Sequence, residues 1–341
     1  MAADRSCVIL VLSDYRDETY TLHHIDVAPF FSGGPDDELD AMDDDIPLPP
    51  ASARFAQPPT SSQHCSYVDF HLLLGPGAGA GDVKVVSTDG ERRTVIYDVA
   101  SRAVRGGPMM RAIKTVPVSA AVGDGLYVLD TMPLAGSHRR FEALRYDRLR
   151  EDWFWHVLPL PPYARDPARP RVTAHTVGAG GRIWTSAENG AGTYSFDARR
   201  RSWRKEGGWS LPFVGKAEHV HDGGLTLGFS SMNGTLCAVD LATATAESPP
   251  AVRGVWEEFR PPVEWFPRNS SLVHLGSGKL CVFRFFGTDT TDSRSRDRDP
   301  VAVITALEVC DDGAGGEINM VRHRSRRIKL ENHNTLLKLV L

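Results

Sequence analysis

Three histidines, His219, His221 and His274, offer the clearest opportunity for chemistry in this sequence. His219 and His221 stand two apart, so on a strand both imidazoles face the same side. Imidazoles converging on one channel can bind a metal or an anion, or pass protons. With no carboxylate cluster beside them, hydrogen bonds to water and backbone carbonyls account for them equally well. Trp256 and Trp265 form a second candidate. They lie in a segment rich in proline and aromatics, Val255 to Pro267, which either caps a strand cluster or offers aromatic anchors to a partner.

Other chemistries are missing from the motif record. Gly228-Phe-Ser-Ser-Met-Asn-Gly234 lacks the second glycine that a nucleophile elbow needs. There is no phosphate loop, no dinucleotide fingerprint and no H-E-x-x-H helix. Nor does a Glu, Asp and His run at four-residue spacing, which would suit iron, occur. The five cysteines, Cys7, Cys65, Cys237, Cys281 and Cys310, are odd in number, scattered and without C-x-x-C spacing. They read as free thiols in a reducing compartment, cytoplasmic or nuclear. No cofactor and no metal are expected.

Composition narrows the partners. Lys plus Arg is 39 and Asp plus Glu is 43, a net charge of −4, which excludes a globally basic nucleic-acid binder. No apolar run approaches the roughly 18 residues of a membrane helix. The short run Cys7 to Leu12 reads as a strand, not a secretory signal.

The elements that would position these side chains repeat. Each unit has an apolar strand, a Gly-containing turn, a second strand, a third strand ending in Asp, a short turn and a last strand. The clearest copy runs Val172–Val177, Arg182–Ser186, Thr193–Asp197 and Ser202–Arg204. Its neighbours run Val118–Val122, Leu126–Leu129, Phe141–Asp147 and Trp153–His156 before it, and Glu218–His221, Leu225–Phe229 and Thr235–Asp240 after it. Asp98, Asp147, Asp197 and Asp240 mark the unit, 49, 50 and 43 residues apart. Each Asp is placed to accept turn amides. Trp153 and Trp203, each six residues after its Asp, are suited to wedge between neighbouring units.

A period of about 40 to 50 with four short strands is that of a propeller blade. Two weaker copies, Ser271–Leu330 and Cys7–Asp26, extend the series, and Leu336–Leu341 supplies a strand to complete the N-terminal half-unit. The expected fold is all-β: a six-bladed propeller spanning 1–341 as one domain and closed by its N- and C-terminal strands. Seven blades require further strands hidden in the long N-terminal segment. Aligning the copies on their first turns sets Ala121, Thr176, His219 and His274 at equivalent places on the channel-lining strand, with His175 facing the opposite way.

Gly192-Thr-Tyr-Ser-Phe-Asp197, Trp203 and Gly208-Trp-Ser-Leu-Pro-Phe213 resemble the signature of a large uncharacterised plant family, kelch-like and expanded chiefly in grasses. The resemblance spans roughly residues 65 to 330. The double glycine of kelch repeats is clear at Gly180-Gly181 and Gly223-Gly224. The resemblance implies a propeller with no assigned activity. Many plant kelch-like chains carry an F-box ahead of the propeller; here the first strand is expected by Cys7, leaving no room for one.

Two segments break the repeat. Residues 28–63 hold seven acidic residues between Asp36 and Asp45, then Pro47, Pro49 and Pro50, and are expected to form a disordered acidic loop or a docking strip for a basic partner. Residues 287–300 are expected to be an exposed loop. Arg322-His-Arg-Ser-Arg-Arg327 is the most basic run, expected on an outer edge strand where charge discourages edge pairing. The function expected is a non-enzymatic protein-interaction module, monomeric, binding a protein partner through its loop faces or central mouth. The alternative is a metal- or small-molecule-binding protein or enzyme using the channel histidines.

Overall fold

The computed structural model describes residues 5–32, 43–56, 67–75, 82–133, 140–220, 224–288, 300–311, 318–330 and 335–341. Almost every regular element in them is a β-strand. The chain begins with β1 (Cys7–Asp14) and β2 (Thr19–Asp26), a 3-10 turn over Ala28–Phe31, β3 (Asp43–Pro47) and β4 (Ala51–Ala56). Four-stranded antiparallel meanders follow. The first comprises β5 (Val68–Leu74), β6 (Val83–Asp89), β7 (Thr94–Asp98) and β8 (Val104–Gly106), and the second β9 (Val118–Val122), β10 (Gly125–Leu129), β11 (Phe141–Asp147) and β12 (Asp152–Val157). Next come β13 (Val172–Gly178), β14 (Arg182–Ala187), β15 (Gly192–Asp197) and β16 (Ser202–Gly207), then β17 (Phe213–Val220), β18 (Leu225–Ser230), β19 (Leu236–Asp240) and β20 (Ala251–Trp256). These two meanders are joined into one eight-stranded sheet by a short parallel ladder between β13 and β17. The last meander comprises β21 (Trp265–Gly276), β22 (Lys279–Thr288), β23 (Pro300–Asp311) and β24 (Ile318–Lys329). The final strand, β25 (Thr335–Val340), pairs antiparallel with β1, giving a sheet ordered β25-β1-β2-β4.

The sheets bury both faces. On β10, Leu126 and Val128 pack towards Val86 and Ile96 of the preceding meander, while Tyr127 and Leu129 pack towards Ile183, Tyr194 and Phe196 of the following one. Strand alternation therefore sends successive side chains to two different cores. That is why Gly125–Leu129 is buried at every position. Trp203 fills such a gap, 5.1 Å from Phe196 and 5.6 Å from Phe141 across it, and its indole N–H donates to the Pro159 carbonyl at 2.8 Å. Trp153 is buried against Tyr146, 5.3 Å away.

The marker aspartates terminate strands as their chemistry suggests. Asp147 Oδ1 accepts from the Leu149 amide at 2.9 Å, and Asp197 Oδ1 from Arg199 and Arg200 at 3.0 and 2.9 Å. Asp98 accepts from Ser101 N at 2.8 Å, and Asp240 from Ala242 N at 2.9 Å. The double glycine has a steric cause. Gly180 and Gly181 both have positive φ, 69° and 73°, and a Cβ on Gly181 would lie 2.8 Å from Val122 Cγ1 of the neighbouring sheet.

Of residues 28–63, expected as a disordered acidic loop, 33–42 and 57–63 lie outside the described residues. Of the described part, Ala28–Phe31 forms the 3-10 turn, β3 lies along β24, and β4 is the outer strand of the N-terminal sheet. Composition argued for solvation because the acidic charges repel one another. The pairing is possible because the basic run of β24 lies opposite β3. Within 287–300, β22 runs to Thr288 and β23 begins at Pro300; residues 289–299 lie outside the described residues.

Candidate functional site

The first strands of the meanders, β5, β9, β13, β17 and β21, together with β25, wall a single cavity of about 440 Å³. Because each sheet presents its edge to this space, the side chains of these strands leave sideways into the gaps between sheets. Two ion pairs stand on the wall: Lys338 Nζ to Asp69 Oδ1 at 3.1 Å, and Lys216 Nζ to Glu218 Oε1 at 2.6 Å. Burial raises the Asp69 carboxyl above its ordinary range, with Lys338 opposing.

Two wall histidines are held neutral. His71 on β5 is 1% exposed; burial, with Lys338 and Lys114 acting in the same direction, lowers its pKa to about 3. Its Nε2 pairs with Thr88 Oγ1 at 3.1 Å, and its Nδ1 is buried with no hydrogen-bond partner among the described residues. His175 on β13 is 8% exposed, and burial, with Lys216 adding to it, lowers its pKa to about 4. His175 Nδ1 and the neighbouring Thr176 Oγ1 are likewise buried without a partner among the described residues.

His219 and His274 also line the cavity, together with Ala121 and Thr176 from the equivalent positions. They do not face the same gap. His219 Nδ1 meets Thr226 Oγ1 at 3.1 Å, on the face of its sheet that carries Ala217 towards β13. His274 lies on the face that carries Leu272 towards β18. His221 lies outside the described residues. His175 was expected to face away, yet it lines the same cavity, because alternate residues of an edge-on strand both border the space. Among the described residues no three His, Cys, Asp or Glu side chains gather as a metal-ion site. The described cysteines, Cys7, Cys237, Cys281 and Cys310, are free thiols, and burial raises the Cys237 pKa to about 11.

Trp256 ends β20 and packs, half-buried, against the core between β18 and β22. Trp265 opens β21, with its ring 5.4 Å from Phe286 and 6.4 Å from the buried Phe259. Between them Glu258, 3% exposed, accepts from Arg284 Nε at 2.6 Å, and the Arg284 guanidinium lies 4.4 Å from the Phe229 ring. Both rings and the Glu258 carboxylate are held against the core, while Val255 and Val263 of the same segment are exposed.

Sequence reasoning missed one feature beside the cavity. The connection from β8 to β9 displays Met109, Ile113 and Val116, and the connection after β10 displays Met132; these are 52, 37, 65 and 38% exposed. Val116 also lines the cavity. Beneath them is a buried network. Lys114 Nζ donates to Glu142 Oε1 and to the Ala112 carbonyl (2.9 Å), and Glu142 accepts the amides of Arg111 at 2.8 Å and Ala112 at 3.1 Å. Asp130 accepts the Thr115 and Met132 amides at 3.1 and 3.0 Å and pairs with Arg140. Thr131 Oγ1 donates to the Thr115 carbonyl at 3.3 Å, tying the two connections together. Met109-Met110 and Ile113, apolar in a stretch rich in turn residues, were the available signal.

The profile of a family described as a protein of unknown function, DUF1668, matches residues 5–328. The chain belongs to the DUF1668 family. No match was found among curated proteins. Among solved structures, this DUF1668 chain is similar to the β-propeller domain of Myceliophteria thermophila Cps50 (Swd1), at 13% identity and a TM-score of 0.44, over 93% of this chain and 96% of that one. Among the described residues, no helix is long and apolar enough to cross a membrane.

Proposed function

We propose that this chain is a six-bladed, kelch-like propeller closed by β25 against β1, and that it is a non-enzymatic protein-interaction module of the cytoplasm or nucleus. The closed ring is supported by the succession of first strands around one cavity and by the β25–β1 ladder. The observation that carries the interaction reading is the exposure of four apolar side chains, Met109, Ile113, Val116 and Met132, on two connections tied together through Thr131, of which Val116 lines the cavity. Exposed apolar side chains held on a rigid buried network suit a docking surface, since little ordering entropy remains to be lost on binding. The partner is a protein presenting an apolar segment to these two connections.

The test is cross-linking mass spectrometry on the tagged full-length chain, beside a Met109→Glu/Val116→Asp variant of unchanged melting temperature. Cross-links of one stoichiometric partner should fall on residues 107–117 and 130–133 and vanish in the variant. A partner captured equally by both forms would remove these connections from the reading.

A second reading has one specific support. The buried, unpartnered polar atoms of His71, His175 and Thr176 on the cavity wall suit a small polar ligand within, with His219 and His274 completing the wall. Native mass spectrometry of purified protein should then show a bound small molecule or metal that is lost in His175→Phe; an adduct-free spectrum sinks this reading.

A further inference from the structure

A cleft of about 360 Å³ opens between the second and third meanders, at the end of β11 away from the connection that carries Met132. Arg145 and His156 border it from β11 and β12, Arg148 from the turn between them, and Arg201 from the turn between β15 and β16. Arg145, Arg148 and His156 are exposed, and none makes a hydrogen bond or ion pair with another described residue. Arg201 is pinned across the cleft, its Nη2 donating to the Val157 carbonyl at 2.8 Å. Asp147 also borders the cleft, but its carboxylate is taken by the Leu149 and Arg150 amides and by the Arg150 guanidinium at 2.7 Å.

We propose that this cleft binds a small phosphomonoester, with the phosphate on Arg145, Arg148 and Arg201 and the organic body against Tyr127 and Leu158. The cleft lies at the other end of β11 from the exposed apolar connections. The proposal therefore does not depend on the reading given to them or to the central cavity.

Three observations support it. The first is Tyr127, which borders the cleft. Its side chain is 4% exposed and its ring lies 6.3 Å from Phe196 and 6.5 Å from Phe141, yet its hydroxyl has no hydrogen-bond partner among the described residues. Burial raises its pKa, with Arg145 and Arg201 opposing and Asp124 adding to it, so the group is a protonated donor beside those two arginines. A polar group buried to this degree ordinarily has a partner. The second is that the repeat does not demand Arg145. Two residues before the other marker aspartates stand Ile96, Ser195 and Ala238. Gly125, opposite Arg145, makes room for the pair: a Cβ there would lie 3.2 Å from Tyr127 Cε2 and 3.6 Å from Arg145 Cγ. The third is that cationic charge prevails. Partial burial, then Arg201 and Arg145, lower the His156 pKa, with Asp147 opposing.

The donor set selects the ligand. Three guanidiniums exceed what a single carboxylate needs and match a phosphomonoester, which carries nearly two negative charges at neutral pH and three acceptor oxygens. Guanidinium forks bond phosphate oxygens in pairs, and the Tyr127 O–H supplies a further donor. A bare phosphate would leave most of the cleft unfilled. Its 360 Å³ falls at the lower end of small-molecule sites, about 300 to 1,000 Å³. The remaining wall is apolar and aromatic, with Ala143, Leu158 and Ala198 beside the Tyr127 and Tyr146 side chains, which suits an organic body with a flat face.

The test is isothermal titration calorimetry of the full-length chain at low salt and neutral pH, with phenyl phosphate as the probe. Phenyl phosphate should bind about tenfold or more tightly than phenyl sulfate, which has the same shape and one charge fewer, and than inorganic phosphate, which lacks the organic body. Arg145→Gln/Arg148→Gln should weaken binding about tenfold or more, and Tyr127→Phe, which keeps the ring and removes the donor, about fivefold. Equal affinity for wild type and either variant would overturn the proposal, as would inorganic phosphate or phenyl sulfate binding as tightly as the probe. Tighter binding of a thymidine oligonucleotide than of phenyl phosphate would assign the arginines to nucleic acid and overturn it too. If the double variant melts more than about 5 °C below the wild type, Arg148→Gln on its exposed turn replaces it; a smaller loss of affinity is then expected, and no loss overturns the proposal.

Discussion

Acidification should destabilise this protein through His71 and His175, and the size of the effect follows from where they sit. An unfolded histidine titrates near 6.5. In the folded chain burial lowers His71 to about 3 and His175 to about 4. Between those values and 6.5 the unfolded state binds the proton and the folded state does not, so stability is fully present above about 6.5 and drains away as the pH falls. Each pH unit in that window costs about 1.4 kcal/mol per histidine, so at pH 5 each has removed about 2 kcal/mol and the pair about 4. Asp69 acts in the opposite sense, because burial raises its carboxyl and protonation then favours the fold as pH falls. The informative quantity is therefore the difference between wild type and variants. Urea unfolding followed by tryptophan fluorescence, at pH 7.5, 6.5 and 5.0, would be run on wild type, His71→Gln, His175→Gln and the double variant. Each substitution should reduce the loss between pH 7.5 and 5.0 by about 2 kcal/mol, whatever it does to stability at pH 7.5. A double variant that loses as much as the wild type would refute the burial argument.

Other perturbations test other parts of the fold. Lys114→Met strands the fully buried Glu142 carboxylate and should cost about 3 to 5 kcal/mol by denaturant unfolding. Adding Glu142→Leu should recover only part of that, because the Arg111 and Ala112 amides then lose their acceptor. Asp147→Ala and Asp197→Ala should lower the melting temperature modestly and to a similar degree, since each carboxylate accepts the same turn amides; two silent changes would count against their equivalence. Deleting residues 335–341 uncovers the edge of β1 and removes the buried Leu337 and Val340, so the cooperative thermal transition should be lost; an unchanged melt would refute the role of β25.

How legible the protein was depended on the range of each interaction. Strands such as Gly125–Leu129 were readable because burial on both faces makes them continuously apolar, Leu225–Ser230 because apolar residues alternate along it, and their turns needed Asp, Gly or Asn at fixed offsets. β4 and β5 went unread: Ala51–Ala56 is small and half-exposed, and Val68–Leu74 carries His71 and Asp69 at positions a strand pattern treats as polar. The site was read less well than the fold. Alignment of first turns brought His219 and His274 to the cavity wall, but it could not show that they enter different gaps. Which gap a side chain enters depends on the sheet standing edge-on, and no spacing rule along one strand contains that information.

By itself the sequence determined the all-β class, the repeat of about 40 to 50 residues and the turn aspartates, because these rest on local backbone chemistry and on burial repeated at short range. Tertiary structure alone decided that β13 and β17 join in parallel, that Lys114 finds Glu142, and that Asp45 lies on Arg327 of β24. Those contacts join residues up to 282 positions apart. Their energies come from desolvated charge and shared ladders, which exist only once the chain has brought the partners together.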